Sequence, residues 1–364
     1  EEEHILVMSK INGIKSSKFY IKDIDLELEK WIGKSLRKEE AKEITDVDEV
    51  KFKSQFNSDI HKMITMKDEI NLYLDLERMS ADTEGTISHK FANEMMNKYP
   101  QIRVNNIYSK IGELRLKKSP QEVEKIKKAI EITKSGIEKL MTECRSGMKE
   151  YELEAYFDFN CKIKGATDLA FTTIAAAGKN ATTLHYVENN SKLKDGDLIL
   201  FDLGAEYNCY NADITRTFPI SGKFTERQKE VYNSVLKVNE EIINLIKPGM
   251  KYKDINEKAT DLIAEECIKL GLIKDKSEVR KYYYHSIGHS LGMDTHDIET
   301  PHRDIIFEPG VVFTVEPGIY IQEEGIGIRI EDDILVTNEG VINLSSDIIK
   351  SVDDIENFMD KFTK

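Results

Sequence analysis

Residues 196–204 read Gly-Asp-Leu-Ile-Leu-Phe-Asp-Leu-Gly and residues 310–318 read Gly-Val-Val-Phe-Thr-Val-Glu-Pro-Gly. Glycine, carboxylate and glycine thus return in register 114 positions on, from 196 to 310, 202 to 316 and 204 to 318. A second echo lies upstream of each copy: Gly147-Met148-Lys149 and Gly249-Met250-Lys251, 102 positions apart, each precede an amphipathic pattern. An internal duplication constrains a fold more than any single propensity does. It predicts two similar halves, each of helices followed by a carboxylate-bearing hairpin, packed about a pseudo-twofold axis.

The carboxylates carry the chemistry. The apolar run Leu198–Phe201 delivers Asp202 at its end, and a turn rich in Gly and Asn leads to a second extended run carrying Asp213, the pattern of a hairpin with the two acids facing each other. Like charges brought together in a low-dielectric interior must share a proton or hold a cation. Further ligands are at hand: His289 in His-Ser-Ile-Gly-His, Glu316 at the end of Val311–Val315, and Glu331 after the alternating run Ile326–Ile330. Four carboxylates and one imidazole form a mostly oxygen set, able to hold two divalent ions by bridging.

With 364 residues the chain has room for two domains. Its 66 acidic and 52 basic residues give a net charge of −14, which argues against nucleic acid or an anionic membrane as a partner. No stretch approaches the roughly 20 apolar residues needed to span a bilayer. Cys144, Cys161, Cys209 and Cys267 lack CxxC spacing and suit buried thiols in a reducing cytoplasm. The opening Glu1-Glu2-Glu3-His4 lacks a methionine, so an absent front segment is expected.

In order along the chain, strands at Ile5–Met8, Phe19–Ile21 and Ile70–Leu76, a short helix ending near Trp31 and a helix over Ile87–Met96 predict a small α/β domain. Its unpartnered first strand again suggests a missing start. A linker is expected over Tyr108–Lys118. Ser119-Pro120-Gln121-Glu122 then starts a helix with a capping box and proline at the first position, burying Val123, Ile126, Ile130, Ile137 and Leu140. A second helix is expected over 149–164, strands over 171–178 and 182–186, a helix from the Thr225/Gln228 capping box to Pro248-Gly249, and another over about 255–270. The domains are set at 1–111 and 112–364. The fold class is α+β, with helices on one face of a mostly antiparallel sheet in two copies.

Taken together, His285-Ser-Ile-Gly-His289-Ser-Leu-Gly-Met-Asp-Thr-His296-Asp297, Asp202-Leu-Gly-Ala-Glu-Tyr, Asp213-Ile-Thr-Arg-Thr-Phe, Glu316-Pro-Gly and Arg329-Ile-Glu331-Asp332-Asp333 resemble the Xaa-Pro aminopeptidase and prolidase family. The resemblance spans roughly residues 119–345 and, more loosely, the first 110. It implies a pita-bread catalytic domain with a dinuclear centre. Asp202 would chelate one ion, Asp213 and Glu331 would bridge, and His289 with Glu316 would hold the other. Manganese is the metal the family implies; cobalt, iron and zinc are compatible with the same donors. Two ions about 3.5 Å apart would make hydroxide available near neutral pH, with Glu316 accepting its proton.

The same resemblance places His185 and His296 on the substrate side, where an imidazole helps stabilise the oxyanion, and His285 on the pocket wall. Arg329, two residues before Glu331, lies on the same strand face and would brace carboxylates or substrate. Phe171 and Tyr186 are read as apolar walls. Trp31 is read as reaching a neighbouring subunit's active site, His302 as a surface loop residue, and Thr295 as a tolerated departure from the motif.

An Xaa-Pro bond lacks an amide hydrogen, so a site for it must use shape and the free amine. The expected partners are therefore peptides with proline second, met by a cytoplasmic homo-oligomer, a dimer first. A strict Xaa-Pro dipeptidase is the alternative enzyme. A non-catalytic peptide-binding module of the same fold is the alternative from another class.

Overall fold

The computed structural model describes residues 4–78, 80, 82–297 and 305–362. The chain divides into two compact units, Glu1–Tyr108 and Ser109–Lys364.

In the first unit, β1 (Ile5–Ile11) and β2 (Ile14–Ile21) form a hairpin. Asn12 and Gly13 both take positive φ, 53° and 84°, the two-residue turn whose twist suits paired strands. After α1 (Leu26–Ile32) and α2 (Lys38–Thr45), β3 (Glu49–Phe52) adds to β2 in parallel. Then come α3 (Phe56–Thr65), β4 (Ile70–Leu74), α4 (Ile87–Lys98) and β5 (Ile102–Asn106), with β4 parallel to β5. Ile64, Met95 and Ile102 fill the space between these helices and strands. The Asp25 carboxylate caps α1 by accepting from the Glu27 and Leu28 N–H groups, yet no residue of α1 is buried, and Trp31 is 86% exposed.

Residues 108–116, expected as a linker, form α5 (Tyr108–Leu116) instead. Arg115 on this helix donates to Asp294 at 2.8 Å and also pairs with Asp297, contacts that no local pattern encodes. Then α6 (Pro120–Glu143) starts on the Ser119–Glu122 capping box and buries Val123, Ile126, Ile130, Ile137 and Leu140. It packs against α7 (Glu150–Ile163).

The sheet of the first copy follows: β6 (Asp168–Leu169), β7 (Ile174–Ala177), β8 (Leu198–Leu203), β9 (Ala205–Tyr207), β10 (Tyr210–Asn211) and β11 (Ile214–Pro219), with β11, β8 and β7 antiparallel in that order. Thr182–Tyr186 is not a strand. A 3₁₀ turn occupies Gly178–Thr182, and the segment after it is irregular.

The second copy opens with α8 (Glu226–Leu245), capped by the Thr225 hydroxyl, and α9 (Tyr252–Lys269). It continues through β12 (Val312–Val315), β13 (Gly318–Ile321), β14 (Ile326–Arg329), β15 (Asp332–Val336) and β16 (Val341–Asn343), and α10 (Val352–Asp360) closes the described chain. Strands β12, β15 and β16 are antiparallel in that order, and β13 pairs with β14. One apolar core joins both copies, from Ile126 and Leu140 through Phe201 and Val235 to Phe313 and Ile334. Helix pair followed by antiparallel strands thus occurs twice in the second unit.

Candidate metal centre

The two repeats aim their acids at one place. In the first copy Thr215, not Asp213, stands opposite Asp202 on the β8–β11 ladder. Asp213 precedes β11 and is brought alongside by the small β9–β10 hairpin, whose turn residues Asn208 and Cys209 both have positive φ, 49° and 65°. Gly204 makes this approach possible, because a Cβ there would lie 1.8 Å from the Ala212 carbonyl oxygen. In the second copy Val315 pairs with Asp332, so Glu316 and Glu331 flank the end of that ladder. The loop carrying His289 lies along β12: the Thr314 N–H donates to the His289 carbonyl at 2.9 Å and the Glu316 N–H to the Ile287 carbonyl at 2.8 Å. At Gly288 any Cβ would meet the Thr314 carbonyl oxygen at 2.0 Å, so only glycine lets this loop lie flat.

Three of the five expected ligands, Asp213, His289 and Glu331, offer donor atoms all within 4.8 Å of one another, and all three are buried. His289 Nε2 stands 3.3 Å from Asp213 Oδ2 and 3.8 Å from Glu316 Oε1. Nδ1–H of the same ring donates to the Ser290 carbonyl at 3.1 Å, which leaves the Nε2 lone pair pointing at carboxylate oxygens. Oδ1 of Asp202, of Asp213 and of Asp333 finds no donor. A lone pair and several orphaned carboxylate oxygens facing one another repel unless cations or protons lie between them. The donor set therefore fits divalent metal.

The electrostatics agree. Burial first, then Asp202, Asp333 and Glu316, push Asp213 well above the usual carboxylate range. Burial and then Asp213 do the same to Glu331. Glu316 is pushed up to about 7, chiefly by burial. Arg329, itself buried, neutralises part of the cluster, donating from Nη2 to Asp202 at 2.6 Å and from Nε to Thr215 Oγ1 at 3.0 Å. Thr215 in turn donates to Glu331 Oε2 at 2.7 Å. One guanidinium cannot balance four acids.

Of the other expected residues, His285 and His296 adjoin this cluster. His285 lies 3.7 Å from Glu316, and its Nε2 accepts from the Tyr320 hydroxyl at 2.8 Å. Burial pulls its pKa down to about 3. The His296 ring stacks on His289 at 3.8 Å, and burial followed by that neighbour lowers it to about 4. His185 is exposed, yet close enough to bear electrostatically on both His285 and His296. Phe171 is half-buried. Tyr186 packs beside Ile174, Leu200 and Tyr320, and its hydroxyl is spent on Glu150 at 2.9 Å. Thr295 donates to the Ala170 carbonyl at 3.1 Å. Trp31 belongs to the first unit, and His302 lies outside the described residues.

The description "Metallopeptidase family M24" matches residues 124–338, more than half the chain, and "Aminopeptidase P, N-terminal domain" matches residues 1–73. The chain belongs to metallopeptidase family M24. The Xaa-Pro aminopeptidase of Escherichia coli is 34% identical over 99% of this chain and 86% of its own length. Human Xaa-Pro aminopeptidase 3 is 35% identical over 98% of this chain and 73% of its own length. Among solved structures, Escherichia coli aminopeptidase P with the inhibitor Pro-Leu superposes with a TM-score of 0.90 at 34% identity, covering all of this chain and 87% of that one. The protein is thus an M24 metallo-aminopeptidase with the pita-bread fold.

Within that M24 frame, several further residues support the cluster. Asn239 of α8 donates to the carbonyls of Val315 and Ile330 at 3.1 and 3.3 Å, the residues just before Glu316 and Glu331. Tyr320 links Arg329 to His285. Asp333 Oδ2 accepts from the Asp213 N–H at 3.2 Å. Asp333 stands in the quoted motif as the second acid after Glu331, without a role read for it; Asn239 and Tyr320 carried no signal in their own neighbourhoods.

Proposed function

We propose that residues 112–364 form the catalytic domain of a metal-dependent aminopeptidase that hydrolyses the bond between an N-terminal residue and a following proline, with 1–111 as its N-terminal domain. The observation that carries this reading is the buried, under-partnered cluster of Asp213, Glu331 and His289 Nε2, with Glu316 3.8 Å from the same imidazole and Asp202 tied in through Arg329. Asp202, Asp213, His289, Glu316 and Glu331 would hold two divalent ions, manganese first. Bound there, such ions supply Lewis acidity and lower the pKa of an attacking water.

The chain's own residues do the rest. Glu316, whose Oε1 stands 3.8 Å from His289 Nε2, is placed to take a proton from that water and deliver it to the departing proline nitrogen. His296, held neutral, and His185 offer N–H donors to the oxygen of the attacked carbonyl, where charge develops. Arg329 braces Asp202 and, through Thr215, Glu331. His285 forms the pocket wall next to Glu316, with Phe171 and Tyr186 as its apolar sides.

Free Cys144, Cys161 and Cys267 in the core support a cytoplasmic setting, and among the described residues no helix is long and apolar enough to cross a membrane. The exposed Trp31, beside exposed Leu28 and Ile32, supports a homodimer in which it reaches the partner's peptide. The test is manganese-loaded protein offered Arg-Pro-Pro and Gly-Pro. Release of arginine from the tripeptide is expected. Cleavage of Gly-Pro alone would make the enzyme a strict dipeptidase, and absence of bound metal after exposure to manganese would overturn the reading.

A further inference from the structure

Glu150, the first residue of α7, has no exposed surface, and its carboxylate accepts from four donors. Oε1 takes the Ala177 N–H at 2.8 Å and Asn180 Nδ2 at 3.0 Å; Oε2 takes the Tyr186 hydroxyl at 2.9 Å and the Ser191 N–H at 2.8 Å. A carboxylate has about four lone-pair sites, so this one is filled. Its place at a helix N-terminus adds the favourable field of the helix dipole.

The donors come from the start, middle and end of residues 177–191, an irregular stretch with no sheet partners of its own beyond Ala177. Two neighbouring bonds tighten the same closure. The Glu150 N–H donates to the Ser191 carbonyl at 3.1 Å and the Tyr151 N–H to the Asn189 carbonyl at 2.7 Å. The Tyr284 hydroxyl also donates to the Thr182 carbonyl at 2.5 Å. What hangs from the closed loop is His185, exposed, one residue before the anchored Tyr186 and near enough to His285 and His296 to act on both electrostatically.

We infer that Glu150 is a positioning residue for His185, acting through the Tyr186 hydroxyl and the gathered ends of the 177–191 loop. The inference rests on the proposed role of His185 at the substrate carbonyl. An exposed imidazole on a free loop would have to give up rotational and translational freedom each time it met the substrate. One on a loop tied at Ala177, Asn180, Tyr186 and Ser191 is already in place. No local sequence rule locates this clamp, because Thr-Thr-Leu-His-Tyr reads as a strand by itself while its anchor lies 36 residues upstream of Tyr186.

The mildest break is Tyr186→Phe, which removes one bond to Glu150 and leaves the ring and the backbone bonds. It should lower kcat for Arg-Pro-Pro on the order of tenfold, the scale of a small misplacement of a reacting group, with KM nearly unchanged. In a His185→Ala background the same change should cost nothing further, since there is no imidazole left to misplace. Glu150→Gln should act in the same direction and more strongly.

A second readout does not depend on activity: in metal-free protein carrying ¹⁵N-labelled histidine, Tyr186→Phe should shift or broaden the His185 ring signals and leave those of His61 in place. Equal loss of kcat with and without His185, or unchanged His185 signals, would overturn the inference. Should His185→Ala itself leave turnover at the wild-type level, the catalytic role of His185 falls, and the ring signals alone then decide whether Glu150 positions it.

Discussion

Glu331, Asp332 and Asp333 are consecutive, buried and acidic, and the fold treats them in opposite ways. Alternation along the strand turns Asp332 to one face and its two neighbours to the other. Asp332 meets a complete set of donors: Arg216 Nη2 at 2.7 Å, Lys350 Nζ at 2.7 Å and the Ser345 hydroxyl at 2.9 Å. Although burial alone would raise it, Arg216 and then Lys350 pull its pKa down to about 2. Glu331 and Asp333 meet other acids instead and are driven well above the usual range, chiefly by burial. The difference separates a carboxylate whose countercharge is built into the chain from one whose countercharge must arrive from outside. The first is structural, and the second is open to an external cation, the role proposed for Glu331.

The sharpest way to break this comparison is to remove a member of the second group. Asp213→Ala should lower both manganese affinity and turnover by more than about 100-fold, since loss of merely supporting residues around a metal already costs 10–100-fold. Titration calorimetry with manganese and steady-state kinetics check it. The same variant, without metal, should be at least as heat-stable as the wild type, because one uncompensated buried acid has gone. A metal-free Asp213→Ala that melts well below wild type would mean that the cluster is structural after all.

Asp332→Ala should do the reverse. It strands the Arg216 guanidinium in a fully buried site, so stability should fall by about 3–5 kcal/mol, read by urea unfolding. Manganese affinity per folded molecule should stay within a few-fold of wild type.

How far such distinctions could be read beforehand depended on range. Asp202 and Glu316 were legible because each ends an apolar run and the runs repeat. The α6 start was legible because Ser119 and Glu122 satisfy each other within one turn. The α5 helix hides in the sequence because its charged residues mask the pattern, and Arg115 finds its partners about 180 residues on, at 179 and 182. The Asp202–Asp213 approach was legible but not its register, since the β9–β10 turn is built from Asn208 and Cys209 without glycine. Asn239 was silent because its two carbonyl partners lie 76 and 91 residues away. Which of Glu331, Asp332 and Asp333 would be paired followed from strand phase together with Arg216, and only the first of these is local.

The comparison also carries a pH signature. Glu316 stands at about 7 in the fold against an ordinary value of 4.5, so the folded state binds the extra proton. For a raised acid, stability is full below the unfolded pKa and is lost as pH rises towards the folded one. Metal-free protein should therefore lose stability as pH rises from about 4.5 to 7, while manganese should remove most of that slope. Asp332 runs the other way: its contribution is present above the unfolded value and is lost only as pH falls towards about 2. Melting temperature across pH, with and without manganese, separates the two; a metal-free profile that rises through neutrality would contradict the assignment of Glu316.

The smallest expected effect tests whether the two groups are independent. Lys350 donates to Asp332 Oδ2 at 2.7 Å and to Asn239 Oδ1 at 2.9 Å, so it touches both the structural acid and the amide that steadies the strands of Glu316 and Glu331. Lys350→Met should cost only about 1 kcal/mol. Arg216 and Ser345 remain on Asp332, and the Lys350 side chain is partly exposed, with 18% of its surface open to solvent. Asn239 holds the Val315 and Ile330 carbonyls through Nδ2, not through the oxygen that Lys350 binds, so its grip on the ligand strands should survive. Manganese affinity and kcat should then stay within about twofold of wild type, as for distant sites whose effects add. If instead affinity falls as far as it does on losing a ligand, Asn239 is transmitting the state of the Asp332 cluster to the metal ligands, and the two kinds of buried acid form one electrostatic unit.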